Sequence, residues 1–531
     1  MGKPKFPTLH RHLFHTGLLL VAAGLPLSNF LMSLGQILLL ISWLVGKQWR
    51  HAVTGFFRNP LALSITAIYF LHVVGLIYTT DFHYAADDLR IKLPLLLLPL
   101  ILTTSPAIEN NWFERILHVF ICAVLVSCLS SFAAFFWWGP DRVVDVRDLS
   151  LYISHIRFAL MMCLSVFVIV YFLSRPRTMV AKMLYLTMAG VLIATLFLLE
   201  SMTGLTVLVL ASFFMMLRWV IYRYRGRFRW LYAALAVMCL VLPAWYVVGV
   251  VRTYYSMPVD APDMEHAESQ TPRGNPYFHD AANPARENGH PIYMYICYNE
   301  LEQAWNERAL LRIPGQDRKG HDLQMTLIRF LSSKGLRKDS DGVASLTSTE
   351  IKAIENGVAN AHYLGHANVG SRIERICWEW DRYRTTGEAD GHSVSLRLEL
   401  WKTSSHLIRM SPLFGIGTGD IDQEFRAEFT RMKTTLSPRW QLRRPHNQYI
   451  SITVTLGVFG LLVFVFGLLY PLSIRIVRPD YLYVAFLVIA LLSMINEDTL
   501  ETQAGVTFFA FFNTLLLFRH KANHTPKPAE R

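Results

Sequence analysis

Residues 443–471 read RRPHNQYISITVTLGVFGLLVFVFGLLYP. Basic, polar chain gives way here to an apolar run long enough to enter a bilayer. Pro445 and His446 stand at the junction, which puts an imidazole at the positive, N-terminal end of a membrane helix. Upstream, Ser411–Gly419 reads SPLFGIGTG. The glycines at 415, 417 and 419 require an open, turning backbone. No strand precedes them, so a turn is expected rather than a dinucleotide fingerprint. Before that, SVSLRLELWKTSSHLIRM at 393–410 predicts a helix. Ser393 serves as N-cap, Leu396, Leu400, Leu407 and Ile408 keep a helical period, and Pro412 ends it. Arg397 and Trp401 then share a face one turn apart.

Outward from this stretch the chain is apolar. Of 531 residues 53% are hydrophobic and mean hydropathy is +0.30, which excludes an ordinary soluble enzyme. Runs able to cross a bilayer fall near 13–31, 33–46, 61–78, 91–104, 116–137, 153–173, 180–198, 205–221, 230–250, 449–471, 481–495 and 503–518. The expected fold is therefore all-α, a polytopic membrane protein with about twelve spans and one large, mainly helical loop domain. Its divisions are an N-terminal bundle at 1–250, the loop domain at 251–448 and a C-terminal bundle at 449–531.

The formal charge of +12 would point to nucleic acid only on a soluble surface. Here the excess lies in short loops, so no nucleic-acid partner is expected. With alternating spans, Lys3, Lys5, Arg11, Lys47, Arg50, Arg58, Arg175, Arg177, Lys182, Arg218, Arg223, Arg225, Arg227, Arg229, Arg475, Arg478, Arg519 and Lys521 share one face. The opposite short loops carry Asp81, Asp87, Asp88, Glu200, Glu497, Asp498 and Glu501. The positive-inside rule then makes both termini cytoplasmic and the 251–448 domain external.

Within that domain Pro258–Pro291 reads as an irregular entry loop. Ile292–Leu311 predicts an amphipathic helix with Met294, Tyr298, Leu301 and Trp305 on one face, and His321–Leu331 predicts another. Leu346-Thr347-x-x-Glu350-Ile351 has the form of a capping box. Glu374, Glu379 and Asp381 read as a solvated, charge-mixed face. Cys122, Cys128, Cys163 and Cys239 lie in apolar runs; Cys297 and Cys377 alone lie in the polar domain and give no firm disulfide. Metal and nucleotide motifs are lacking, so no metal and no cofactor is expected.

Arginine grips phosphate through a planar fork of donors. A neutral histidine at a helix N-terminus, where the dipole disfavours imidazolium, can take a proton from a sugar hydroxyl. Arg397 and His446 together suit displacement at a carbon bearing a diphosphate. The plainer readings stand beside this: His446 as a solvated interface group, Arg397 paired with Glu399, and Arg443 and Arg444 as lipid-phosphate anchors. His155 and Arg157 are either interface anchors or a donor-phosphate contact.

Arg397-x-x-x-Trp401, the turn at 411–419, and His446-Asn447-Gln448-Tyr449 leading to Gly457-x-x-Gly460 resemble the signature of the O-antigen ligase and O-antigen polymerase superfamily. The likeness is best over about 190–465. It implies an inverting, metal-independent glycosyltransferase of the inner membrane, with an undecaprenyl diphosphate-linked glycan as donor. The implied acceptor is lipid A-core in ligases, another repeat unit in polymerases, or protein. By position Arg397 is the loop arginine and His446 the base. Trp401, Asn447, Arg443, Arg444 and Arg157 join them as substrate-binding candidates, and membrane lipids surround the whole. Where the family carries Ser-Arg after the seventh span, this chain has Ser201-Met202, so either another residue such as Arg157, Arg443 or Arg444 supplies that charge or the donor grip is different. A transporter instead predicts charges deep in the spans and paired broken helices.

Overall fold

Each apolar run becomes a helix, because in a bilayer only internal hydrogen bonds satisfy the backbone. The computed structural model describes residues 8–46, 49–138, 146–222, 224, 226–257, 267–364, 369–387, 389–390, 393–434, 436–441, 444–473 and 480–518. Arg443 lies outside the described residues. So do Lys3, Lys5, Lys47, Arg223, Arg225, Arg475, Arg478, Arg519, Lys521 and part of the entry loop after Pro258.

The N-terminal helices are α1 (Thr8–Leu27), α2 (Asn29–Val45), α3 (Trp49–Phe57), α4 (Pro60–Val74), α5 (Phe82–Lys92), α6 (Pro94–Thr104), α7 (Asn110–Trp138), α8 (His155–Leu173), α9 (Met179–Leu198), α10 (Met202–Tyr222) and α11 (Arg229–Tyr255). The polar domain holds strands β1 (Arg286–Glu287) and β2 (His290–Pro291). Its helices are α12 (Tyr298–Arg308), α13 (Leu323–Ser333), α14 (Ser340–Ala344), α15 (Ser348–Glu355), α16 (Val369–Thr386), α17 (Ser393–Met410), α18 (Ile421–Met432) and α19 (Pro438–Gln441). Helices α20 (Gln448–Ser473), α21 (Tyr481–Asn496) and α22 (Gln503–Phe518) return to the bundle.

Among the described residues, seven helices are long and apolar enough to cross a membrane: α4 with its continuing turn to Tyr78, α7, α8, α9, α10, α11 and α20. Helices α2, α21 and α22 are apolar but shorter. The break between the first two runs falls at Ser28, earlier than the hydropathy suggests. Its hydroxyl caps α2 by accepting the Leu31 N–H at 3.4 Å. The run at 91–104 yields only the 11-residue α6 after Leu93-Pro94, about 16 Å long against an apolar slab of about 30 Å. Thr104, at the far end of α6, accepts a hydrogen bond from Trp43 near the end of α2, and Lys92, the last residue of α5, lies two residues before α6 begins. Every residue of α22 from Ala504 to Phe518 is buried, as expected of a helix apolar on all sides at the centre of a bundle. Only Ala236 of α11 is buried.

Ion pairs lie at both ends of the bundle. Arg11 pairs with Glu109 at 2.8 Å and Arg177 with Glu114 at 3.0 Å at one end. At the other end Asp88, Glu200, Glu497 and Glu501 meet lysine, arginine or histidine side chains, and Asp498 accepts the His446 backbone N–H.

Residues 270–364 pack a core of their own around Trp305, Leu327, Phe330, Leu331 and Ile354. The expected helix from Ile292 begins only at Tyr298. Tyr295 takes a positive φ of 56°, and Ile296 bridges in extended form to Phe278 and Lys338. Met294, Leu301 and Trp305 are buried, whereas Tyr298 is exposed. The next helix starts at Leu323, capped by Asp322. The capping box is present, Thr347 and Glu350 each bonding the other's backbone. This subdomain stacks Arg329 over Trp378 of α16 at 3.7 Å.

Helix α20 is two helices joined at Gly457, whose φ of 67° and ψ of −172° no helix contains. The 411–417 turn plugs the break. Ile416 and Gly417 donate to the carbonyls of Val454 and Thr455 at 2.9 and 3.0 Å, and Val458 donates to Pro412 at 2.9 Å. A Cβ on Gly457 would lie 2.1 Å from the Leu413 carbonyl, and one on Gly415 2.4 Å from the Thr455 backbone. Both glycines are needed for the close approach of the two backbones. The break is filled by the 411–417 turn.

Candidate active site

The plugged break locks α17 to the bundle and so sets Arg397 against the chain around His446. Asp420, at the end of the turn, accepts the Thr80 and Asp81 N–H groups at 2.9 and 2.8 Å, tying the turn to the start of α5. Trp401, one turn beyond Arg397, donates its indole N–H to the Pro445 carbonyl at 2.8 Å. It acts on the backbone beside the histidine. Asn447 caps α20, accepting the Ile450 N–H at 3.0 Å, and its amide donates to the Ile495 carbonyl at 2.8 Å.

His446 is held in the left-handed region, φ 54°, at a cost of about 1 kcal/mol for a residue other than glycine. Its N–H donates to Asp498 Oδ2 at 2.7 Å. Its Nδ1 stands 3.7 Å from Glu497 Oε2, too long for a hydrogen bond. Glu497 Oε1 meets Arg157 at 3.3 Å. Glu497 Oε2 and Arg157 Nε are buried without hydrogen-bond partners among the described residues, so an acceptor and a donor remain unmatched at one place. Burial pushes the Glu497 carboxyl up, but His446, Arg157 and Arg397 outweigh it and hold the group below its ordinary value. Burial holds Asp498 above its ordinary value, against the hydrogen bond from Ser451.

Arg397 is half-buried. Glu399 does not pair with it: that carboxylate takes the Tyr383 hydroxyl and lies 3.8 Å from Lys402. Burial pushes Arg397 below its ordinary value, opposed by the charges of Glu497, Glu379 and Asp498. Glu379 is buried, not on a solvated face; its Oε2 accepts the Val394 N–H at 3.1 Å at the start of α17.

Two residues earlier than His446, Arg444 faces a different setting. It bonds Glu501, Asp88 at 3.1 Å and the Tyr84 hydroxyl at 2.8 Å. Fully buried Lys92 closes the ring, 2.7 Å from Asp88 and 2.6 Å from Glu501. Gln448 donates to Glu501 at 2.9 Å. Burial works against the charge on Asp88, yet Lys92 and Arg444 hold it far below the carboxylate range. The donors of Arg444 are thus taken up within the protein.

The structure therefore brings His446, Arg157, Arg397 and Trp401 together and sets Arg444 and Asn447 to structural contacts. Reasoning from sequence missed Glu497, Asp498 and Glu501 as site residues, reading them only as topology. Three carboxylates beside an apolar helix were the available signal, since such a group is buried only with cations. Beside Arg157 a cleft of about 520 Å³ opens between the 147–157 loop and Thr502–Ala504. Cys297 and Cys377 are both free thiols.

In this helical protein a histidine, two arginines and a buried carboxylate meet in one cluster. Residues 343–465 match the family model described as O-antigen ligase. The match spans the capping-box helix, Arg397, the glycine turn, His446 and the break at Gly457, and starts after most of the 270–364 subdomain. No curated protein matches the chain.

Proposed function

We propose that the protein is a membrane glycan ligase that moves a polysaccharide from undecaprenyl diphosphate to lipid A-core at the periplasmic face of the bacterial inner membrane. The match of residues 343–465 to the O-antigen ligase family model supports this reading, as does the sorting of lysines and arginines among the short loops of the sequence, which fits cytoplasmic termini and about twelve membrane segments, α6 being the shortest. The observation that carries it is His446, held in a strained backbone beside Glu497, with Arg397 free of any ion pair among the described residues.

In the reaction, the acceptor hydroxyl oxygen attacks the anomeric carbon, and the bond from that carbon to the diphosphate oxygen breaks, inverting the centre. His446 takes the hydroxyl proton. Glu497, against Nδ1, stabilises the resulting imidazolium and leaves Nε2 for the acceptor. Arg397 and Arg157 meet the charge gathering on the leaving diphosphate. No metal is needed for any of these steps. Arg444 acts as a positioning residue for the chain that carries His446.

The test is a glycan profile of cells lacking the gene, complemented with wild type or His446→Ala. The ligase reading expects long glycan to vanish from lipid A-core, collect on the carrier and return with wild type alone. Single repeats on lipid A-core would instead mark a polymerase. An altered glycoprotein with normal lipid A-core would mark protein as the acceptor.

A further inference from the structure

A diphosphate carries more charge than one guanidinium matches, and the position where the family resemblance expects a further arginine is Met202. The loop before it is occupied: Glu200, at φ 45°, accepts Arg375 of α16 at 2.6 Å. One turn earlier on α16 stands Arg372. Its Nη2 donates to the Ser393 hydroxyl at 3.1 Å, and Ser393 is one helical turn before Arg397 on α17. Ser393 thus receives an arginine at the head of α17, where the sequence suggests a cap. Among the described residues Arg372 makes no ion pair. Glu379 is the carboxylate whose charge reaches both Arg372 and Arg397, but its Oε2 is engaged by the Val394 N–H.

Two half-buried guanidiniums therefore share Glu379, while Glu200, which also acts on Arg372, is paired with Arg375, and Glu497, which also acts on Arg397, is paired with Arg157; Arg147 adds further positive charge on the Arg372 side. Arg147 also lines the cleft that Arg157 borders. Burial and the neighbouring arginines push Arg372 below its ordinary value. Charge of one sign gathered out of water is costly unless an anion enters. We infer that Arg372 is a donor-binding residue that grips the carrier diphosphate together with Arg397, supplying from α16 the charge that Met202 lacks. This rests on the glycan-transfer reading above. It also gives the 270–364 subdomain a link to the site, because Trp378, on which Arg329 stacks, lies on the same helix.

The experiment uses the full chain in lipid nanodiscs and compares inhibition of glycan transfer by undecaprenyl diphosphate and undecaprenyl monophosphate. Arg372→Ala should cut the preference for diphosphate over monophosphate by about tenfold or more, with Arg372→Lys recovering part of it. Arg372→Gln, which keeps a donor for Ser393, should lose the preference as Ala does while retaining the wild-type Tm. Wild-type preference in Arg372→Ala or Arg372→Gln, with Arg397→Ala losing it, would overturn the inference and leave the transfer reading standing. Equal loss of affinity for both lipids, with a lowered Tm, would assign Arg372 to structure alone and also overturn it. If neither Arg372→Ala nor Arg397→Ala alters diphosphate binding, the transfer reading itself fails.

Discussion

Arg444 and His446 are separated by one proline, yet their surroundings differ in kind. Around Arg444, two cations and two carboxylates close on one another with Tyr84 and Gln448, and Lys92 has no exposure at all. Around His446 the account does not close: Glu497 Oε2 and Arg157 Nε lack hydrogen bonds, Arg397 has no ion pair among the described residues, and the histidine backbone is strained. A buried charge is tolerable when matched, and a matched charge is then unavailable for chemistry. The closed ring holds the bundle and the His446 corner in place; the open cluster keeps groups free for a substrate.

Breaking the closed ring should have the largest effect on stability. Arg444→Ala leaves Asp88 and Glu501 with Lys92 alone and should destabilise the protein by about 3–5 kcal/mol, read as lost expression or a large fall in Tm. Within the open cluster the loss should be of rate. Arg397→Lys keeps charge without the fork and should cut transfer about a hundredfold with little change in Tm.

Glu497 sharpens the comparison through pH. Its carboxyl lies lower in the fold than its ordinary value of 4.5, so between the two values the unfolded chain binds more protons and stability rises with pH. The contribution is complete above the ordinary value and is lost as pH falls through the folded one. Glu497→Gln should flatten that acid limb in Tm measured against pH. The smallest effect belongs to Asn447→Ala, which removes a helix cap and should lower stability by about 1 kcal/mol, with transfer largely kept.

Much of this was legible along the chain. Arg397 and Trp401 share a face as their spacing predicts, the 411–419 stretch is a turn, and Thr347 with Glu350 makes its capping box. What the sequence hid depends on distant partners. Nothing local shows that Gly457 breaks a long apolar helix, because the break is filled by the 411–417 turn. Arg444 resembles an interface anchor until Asp88 and Glu501 arrive from two other loops. The helix-dipole argument for His446 took no account of Glu497, which lies 51 positions further along the chain and 3.7 Å away. Glu379 reads as solvated because helical periodicity cannot show that α17 starts on top of it.

The most direct measurement is transfer by purified His446→Asn from a polyprenyl diphosphate-linked glycan to lipid A-core. Asparagine tolerates the left-handed backbone that His446 adopts, so the fold and the Asp498 contact should survive in this variant. The account predicts an unchanged Tm and a rate lowered by about a thousandfold, within the range of a lost general base. Transfer at the wild-type rate by His446→Asn would contradict it.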